Sequence, residues 1–359
     1  MELINVEKEE FESIFLDIKE RYLSKNNFPK LIVGTGLSIA MGVPGMSKLA
    51  ERLEEKFENI EDSNLREKWN KYSTKIKKEG LEDALLDIST SEELFVEKIR
   101  EITSEFILIE EYKQQPMILN TVSGFEKLLK YLSETVSVNN KIIDIMTPNY
   151  DRIIELICDK LKLPTTLGFS GNIYQTFNVN ILKRPREYFS KDNILVRIFK
   201  PHGSVNWIKI SGKEYQVNDY HLLKDKKEDI DIIPPGAMKY KSGMINDIFR
   251  QHRESFNELI SDLKSYSILI YGYGFNDQHF NTVFQNTTKD VLVLTKVIKS
   301  SFLKKVTQNK NWTFFYKCED GDENISTESY MIYKGEKYKV NKDLWDINIF
   351  SETFFNVGE

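Results

Sequence analysis

Cysteine, histidine and long apolar runs are scarce in this chain of 359 residues, which has 2 cysteines and 4 histidines. Cys158 and Cys318 lie far apart in the sequence, so they supply neither a disulfide framework nor the ligand pairs of a structural zinc site. Nothing approaches the roughly 20 consecutive apolar residues that a membrane-spanning helix needs. The first residues are acidic and amphipathic, unlike a secretory signal. We therefore expect a soluble, cytoplasmic protein without a bound metal or a membrane partner.

Basic charge is not in excess either, because 50 lysines and arginines stand against 55 aspartates and glutamates, for a formal net charge of −5. Proteins that bind a nucleic acid backbone normally present a concentrated basic face. We therefore expect no direct nucleic acid partner. The length allows one elaborated domain or one domain with a large insertion, and we favour the second.

What the chain does contain is an alternation of short apolar runs and amphipathic helical patterns. The apolar runs that are typical of strands span 31–33, 142–146, 194–199, 267–271, 291–294 and 312–316. Strands that alternate with helices favour a parallel sheet with both faces covered. The sequence therefore predicts an α/β fold with a Rossmann-like, doubly wound parallel sheet of about six strands.

Two segments depart from this alternation. Residues 58–138 are charged and helical in period without a clear strand, and they predict a helical insertion or subdomain. Residues 325–359 alternate around Lys334-Gly335 and then become apolar at helical spacing, which predicts a C-terminal hairpin and helix. We expect both segments to belong to a single domain that spans residues 1–359.

The first apolar run ends in a glycine turn, Gly34-Thr35-Gly36-Leu37-Ser38. A strand that ends in glycines and opens a helix directs backbone N–H groups and the positive end of the helix dipole toward a phosphate. The position of a third glycine in the dinucleotide fingerprint is Ile39, and no Gly-Lys-Ser/Thr follows, so the turn matches neither common phosphate motif. A plain tight turn is the alternative interpretation.

Three polar residues follow two of the later strands. Asn149 and Asp151 come just after the run 142–146, and His202 follows the run 194–199. Ligands of open α/β sheets collect at the carboxyl ends of the strands. Histidine transfers protons near neutral pH, and an amide orients a water or a ribose hydroxyl without carrying charge. Asp151 could equally cap the next helix, and a single histidine is more often structural.

A second glycine turn comes late in the chain, Gly272-Tyr273-Gly274-Phe275-Asn276-Asp277, and a helix pattern follows at 278–285. Asn276 and Asp277 fit either the start of that helix or the binding of ribose hydroxyls. His279 is the second candidate histidine, although capping or packing explains its position as well.

In this order the motifs resemble the sirtuins, and more closely the sirtuin-like domains of bacterial anti-phage defence proteins. The first glycine turn is similar to the sirtuin Gly-Ala-Gly-x-Ser loop, and Gly42-Val43-Pro44 to the Gly-Ile-Pro that follows it. Thr147-Pro148-Asn149-Tyr150-Asp151 resembles Thr-Gln-Asn-x-Asp, with Pro148 in place of glutamine, and His202-Gly203 the catalytic His-Gly. The resemblance covers about residues 30–295. Two cysteines cannot build the zinc ribbon of sirtuin deacylases, so a protein deacylase is disfavoured.

The resemblance implies an NAD glycohydrolase, which cleaves NAD to nicotinamide and ADP-ribose without a metal. Asn149 would position the ribose or the attacking water, His202 would act as the base, and Asp151 would support the nicotinamide ribose. The residues expected to bind the rest of NAD are Gly34, Thr35, Gly36 and Ser38 at the pyrophosphate, Asn276 and Asp277 at the adenosine ribose, and Gly203, Gly272 and Gly274.

The resemblance also implies an NAD-depleting effector of anti-phage defence that is held inactive until it is triggered. We expect a homo-oligomer, or control by a partner such as a HerA-type ATPase or another phage-sensing component, with the helical segment 58–138 as an interface, a lid or simply a packed layer. Two other functions stay open: a sensor that binds NAD or ADP-ribose without turnover, and a scaffold subunit of a defence complex.

Overall fold

The structure is a computed structural model that describes residues 2–88, 92–136, 141–236, 247–262, 266–275, 287–321 and 328–355. The predicted helix 278–285, and with it Asn276, Asp277 and His279, lies outside the described residues. The strands are β1 Leu3–Ile4, β2 Lys30–Val33, β3 Ile142–Met146, β4 Thr165–Thr166, β5 Phe169–Ser170, β6 Gln175–Phe177, β7 Leu195–Phe199, β8 Gly203–Ile210, β9 Lys213–Gln216, β10 Ile230–Ile232, β11 Ile268–Tyr271, β12 Val291–Ile298, β13 Trp312–Glu319, β14 Ser329–Tyr333 and β15 Glu336–Val340.

The described α-helices pack around and between these strands. They are α1 Glu9–Tyr22, α2 Thr35–Ala40, α3 Met46–Glu58, α4 Ser63–Glu79, α5 Leu81–Ala84, α6 Glu93–Asn120, α7 Gly124–Thr135, α8 Ile153–Lys160, α9 Val179–Lys183, α10 Tyr220–Asp225, α11 Asp247–Ser261, α12 Ser300–Val306 and α13 Ile347–Phe355. In the parts of the chain that are described, none of the helices combines the length and the apolar character needed to cross a bilayer.

The main sheet has ten strands in the order β1-β15-β14-β13-β12-β11-β2-β3-β7-β4, and every pair from β4 to β13 is parallel. All six predicted strands are present in it, which confirms the α/β fold. The sheet is wider than predicted, because the two-residue strand β4 adds to one edge and the C-terminal hairpin β14-β15 continues the other edge antiparallel. Strand β1 then pairs with β15.

Side chains alternate between the two faces of the sheet, and helices cover both. Leu31 and Val33 of β2 face one apolar core together with residues of α1, α7, α8 and α13. Ile32, between them, faces a second core that contains residues of α11 and α12. Burial on both faces explains why the strands read as continuous apolar runs.

The strand order reverses beside β2. The chain passes from β2 to β3 and β7 on one side and then returns to β11, β12 and β13 on the other side. The gap between the carboxyl ends of β2 and β11 is therefore the topological switch point, where open α/β sheets bind ligands. Both glycine turns of the sequence follow these two strands.

The predicted helices of segment 58–138 are present, and they divide between two cores. Residues of α3, α4, α5 and the first half of α6 form a third apolar cluster of their own. Ile107 and Leu108 of α6, and the buried face of α7, belong instead to the main core. Helix α6 thus runs from the helical cluster to the sheet, while the boundaries of an inserted subdomain stay a prediction.

A second sheet was not predicted. It is antiparallel, with the order β10-β8-β9-β6-β5, and β8 begins directly after His202. Several of its strands have only 2–4 residues, too few for a period-two pattern to stand out from the surrounding loops. The turn at His202 therefore joins two sheets, because the chain leaves β7 of the main sheet and enters β8.

Candidate functional site

A cleft of about 440 Å³ lies at the switch point. It brings together the first glycine turn, the segment after β3, the histidine after β7 and the late glycine turn. Its lining residues include Thr35, Ser38, Ile39, Pro148, Asn149, Tyr150, Asp151, His202, Gly272, Tyr273 and Gly274, with Pro44 to Ser47 at the start of α3 and Glu82 of α5. A volume of this size is typical of small-molecule sites.

The two glycine turns interlock at the floor of this cleft. The N–H of Gly34 donates to the Tyr271 carbonyl at 2.8 Å, and the N–H of Gly36 donates to the Gly272 carbonyl at 2.9 Å. A Cβ on Gly36 would lie 2.4 Å from the Cα of Gly272, whose φ of +63° is in the left-handed region. Glycine is therefore required for packing at both turns, and these two N–H groups are engaged within the protein. Their predicted contact with a pyrophosphate stays a prediction.

A short chain of hydrogen bonds connects the first glycine turn to the segment after β3. The Asn149 side chain donates from Nδ2 to the Gly34 carbonyl at 2.9 Å and to Ser38 Oγ at 3.0 Å. Ser38 Oγ in turn donates to Asp151 Oδ2 at 2.6 Å. Asn149, Ser38 and Asp151 are all buried. They hold one another in place at the cleft, and the predicted roles of Asn149 and Asp151 stay predictions.

The Asp151 carboxyl has an unusual acidity. Burial raises its pKa to about 6; the nearby charge of Lys200 and the hydrogen bond from Ser38 lower it, and the charge of Glu111 raises it further. Asp151 Oδ1 also accepts a hydrogen bond from the Ile153 N–H at 3.3 Å, at the start of α8. The same side chain therefore accepts a hydrogen bond at the start of a helix and lines the cleft, while its role in binding or catalysis stays a prediction.

This pKa makes stability depend on pH through Asp151. The Asp151 pKa is about 6 in the folded protein and has the ordinary value of 3.8 in the unfolded chain. Between about pH 4 and pH 6, Asp151 is therefore mostly protonated in the folded state and mostly ionised in the unfolded state. The free energy of unfolding should therefore fall as pH rises through this window, by roughly 3 kcal/mol in total. We expect Asp151→Asn to gain stability relative to wild type on going from pH 4.5 to pH 7.5.

Urea unfolding at a series of pH values measures this gain. Asp192→Asn is the matched control, since Asp192 is exposed and lies away from the cleft. Its difference from wild type should not change with pH. A constant offset for Asp151→Asn across the same range would contradict the assignment.

His202 lies in the turn between the two sheets, buried except for its edge in the cleft. Its carbonyl accepts the N–H of Ile233 at 2.9 Å, which fixes the turn against the chain after β10. Gly203 has a φ of +84°, and a Cβ there would lie 2.5 Å from the Asp231 carbonyl oxygen. Glycine is thus required at position 203 by the protein's own backbone, and the predicted contact of Gly203 with NAD stays a prediction.

Lys200 supports both halves of the site, and sequence reasoning missed it. Its ammonium is completely buried, donates to the Asp151 carbonyl and to Ser204 Oγ at 3.1 Å, and pairs with Glu155 Oε1 at 3.0 Å. It therefore joins the segment after β3 to the turn that carries His202. The sequence position of Lys200 could have indicated this role, because a lysine that directly follows a buried strand must either find polar partners or remain outside the core.

His252, for which the sequence suggested no role, lies behind the site on α11. Its Nδ1 accepts the backbone N–H of Lys200 at 3.2 Å, and burial lowers its pKa to about 3. It is therefore neutral at physiological pH, and it packs against the rings of Phe177 and Trp207. Its role is structural.

A buried ion pair connects α6 to the same segment. Glu111 accepts from the backbone N–H of Arg152 at 2.6 Å and from the guanidinium at 2.6 and 2.9 Å. Glu111 is completely buried and Arg152 nearly so. The two residues are 41 positions apart, so no local pattern could have paired them.

The late glycine turn contributes Gly272, Tyr273 and Gly274 to the cleft. Asn276 and Asp277, predicted at the adenosine ribose, lie outside the described residues, so their role stays a prediction. Within the described ranges, no three His, Cys, Asp or Glu side chains are grouped so as to hold a metal ion.

Comparison with known protein families gives a match to part of the chain. Residues 144–291 match the family model of the SIR2-like domain. The matched segment contains Asn149, Asp151, His202 and the late glycine turn, and it begins beyond the first glycine turn. It supports a sirtuin-like domain in this part of the chain, and with it an activity related to NAD. No curated protein matches the chain.

Proposed function

We propose that this protein is an NAD glycohydrolase, which cleaves the bond between nicotinamide and ribose and transfers the ribose carbon to water. The observation that carries the proposal is the cleft at the switch point. There, Asn149, Asp151 and His202 line the same cleft as the two interlocked glycine turns. The match of residues 144–291 to the SIR2-like domain supports NAD as the substrate.

The cleavage reaction needs little acid catalysis. Nicotinamide leaves as a neutral molecule from a cationic ring, so the site needs no proton donor for it. The transition state at the ribose resembles an oxocarbenium ion, which a carboxylate nearby stabilises. Above pH 6 the Asp151 carboxyl is mostly ionised, so it offers this charge at cytoplasmic pH. The Ser38 hydrogen bond fixes its orientation.

The attacking water must be held and deprotonated. Asn149 would orient the water or the ribose hydroxyls, since two hydrogen bonds to the glycine turn hold its amide in a defined position. His202 would accept the proton that the water loses as its oxygen bonds to the ribose carbon. The buried walls of the cleft limit access of other water molecules to that carbon.

The proposal extends to the biological role. As an NAD-depleting effector of anti-phage defence, the enzyme would be kept inactive until triggered, through a homo-oligomer or a partner protein such as a HerA-type ATPase. A cytoplasmic location fits a chain whose two cysteines, Cys158 and Cys318, are buried and form no disulfide. These points rest on the resemblance of the motifs and await their own tests.

The test of the activity is nicotinamide release from NAD by the purified protein, measured across a range of protein concentrations, with NAD binding measured in parallel by calorimetry. We expect release of nicotinamide and ADP-ribose in equal amounts. A rate per molecule that rises steeply with concentration would support control by assembly. Binding of NAD without release at any concentration would leave either the sensor or an enzyme that waits for its activator, and absence of NAD binding would contradict the proposal.

A further inference from the structure

Glu82 is an acidic residue of the helical region that lines the cleft. It lies in α5, between Leu81 and Ala84, whose side chains are buried in the third apolar cluster. These neighbours anchor the short helix, so the position of Glu82 on the cleft wall is set by packing rather than by a loop. The sequence alone did not single out Glu82.

The strand order tells which end of the cleft Glu82 occupies. Asn149 and His202 follow β3 and β7, which lie on one side of β2. Asp83, next to Glu82, pairs its carboxylate with Lys299 Nζ at 3.8 Å, and Lys299 follows β12 on the other side of β2. The Lys299 N–H also donates to the Gly274 carbonyl at 3.3 Å. Glu82 therefore lies across the glycine turn from the proposed catalytic residues.

This placement indicates which end of a bound dinucleotide would lie next to Glu82. If the bond to nicotinamide lies beside Asn149 and His202 and the pyrophosphate lies over the first glycine turn, the adenosine ribose points toward β12 and Glu82. An acidic residue at that ribose accepts hydrogen bonds from its hydroxyls and repels a 2′-phosphate. Among the cleft-lining residues that the structure describes, Glu82 and Asp151 carry charge and none is a lysine or arginine.

We propose that Glu82 selects NAD over NADP by placing its carboxylate at the adenosine ribose. The inference rests on the proposed function for the orientation of the substrate. It gives the helical region a part in substrate recognition, because α5 supplies a group that the sheet does not.

The experiment compares NAD and NADP as substrates and as ligands for wild type, Glu82→Gln and Glu82→Lys. For wild type we expect kcat/KM for NAD to exceed that for NADP by at least about a hundredfold. This ratio corresponds to about 2.8 kcal/mol, since each factor of ten is about 1.4 kcal/mol. Glu82→Gln should reduce this ratio by about tenfold, and Glu82→Lys should reduce it further by attracting the 2′-phosphate. Most of the change should be in the values for NADP.

Glu79→Gln is the matched control, since it removes the same charge from the end of α4, where Glu79 is half exposed and pairs with Lys75. Its ratio should equal that of wild type. Thermal unfolding verifies that each variant is folded. An unchanged ratio in both Glu82 variants, or a wild type that accepts NADP as readily as NAD, would overturn the inference.

Calorimetric binding of NAD and NADP keeps this test separate from the test of catalysis. If the wild type binds NAD without releasing nicotinamide, a sensor and an untriggered enzyme both remain, while the ratio of the two dissociation constants still decides the role of Glu82. If nicotinamide is released but the ratio does not respond to Glu82, the inference fails alone.

Discussion

Replacing His202 with alanine should lower the rate of nicotinamide release from NAD by about 10²–10⁴-fold, the usual contribution of a positioned general base. His202 is held in the turn between β7 and β8 by the Ile233 N–H and lines the cleft beside Asn149 and Asp151. Loss of the imidazole would remove the proposed acceptor for the proton of the attacking water and leave the cleft walls in place. We therefore expect the loss in kcat, with NAD binding nearly unchanged.

His221→Ala is the matched control for this variant, because His221 is exposed on α10 and lies away from the cleft. It should release nicotinamide at the wild-type rate. Asn149→Ala should also lose activity, but for another reason: it breaks the two hydrogen bonds that join the segment after β3 to the glycine turn. Wild-type turnover by His202→Ala would eliminate the proposed base, and the water would then have to be activated elsewhere in the cleft.

The parallel sheet could be predicted from the sequence because its strands are buried on both faces and read as apolar runs between helices. The same rule placed Asn149, Asp151 and His202 at strand ends, and the structure brings all three to one cleft. The second sheet could not be predicted in this way, since strands as short as Phe169–Ser170 carry no readable period. Their pairing depends on the tertiary fold.

The residues that hold the site in place were also beyond sequence reasoning. Lys200 and Glu111 act through partners that are remote in sequence, and a charged residue in isolation suggests a solvated surface. The glycine turns show a related limit of sequence-based prediction. A Gly-x-Gly turn indicates that backbone must come close to something, and here the nearest group to Gly36 is the backbone of Gly272. The spacing of the glycines alone cannot show whether the group that comes close to them is a ligand or another turn of the protein.

The second large effect is expected at the Glu111–Arg152 ion pair. Glu111→Ala should lower the free energy of unfolding by about 3–5 kcal/mol, because it leaves the Arg152 guanidinium buried without its partner. It also removes the acceptor for the Arg152 N–H, which lies next to Asp151. Nicotinamide release should therefore fall even at temperatures where the variant remains folded.

Glu110→Ala is the neighbouring control, since Glu110 pairs with the exposed Lys113 and a pair of this kind contributes at most about 1 kcal/mol. Urea unfolding of both variants measures the difference. The double variant Glu111→Leu with Arg152→Met separates two contributions to the free energy of unfolding: the penalty of a buried, unpaired charge and the net stabilisation by the ion pair. Replacing both partners of a buried pair by apolar residues is often neutral, so the double variant should recover most of the lost stability.

Recovery of stability without recovery of activity would show that α6 matters to the site through the orientation of the Arg152 backbone and, with it, of Asp151. Helix α6 begins in the third apolar cluster and reaches the segment after β3 through Glu111. If Glu111→Ala lost no more stability than Glu110→Ala, the pair would not be buried as the structure has it. The connection between the helical region and the cleft would then rest on residues that line the cleft directly, such as Glu82 and Ile107.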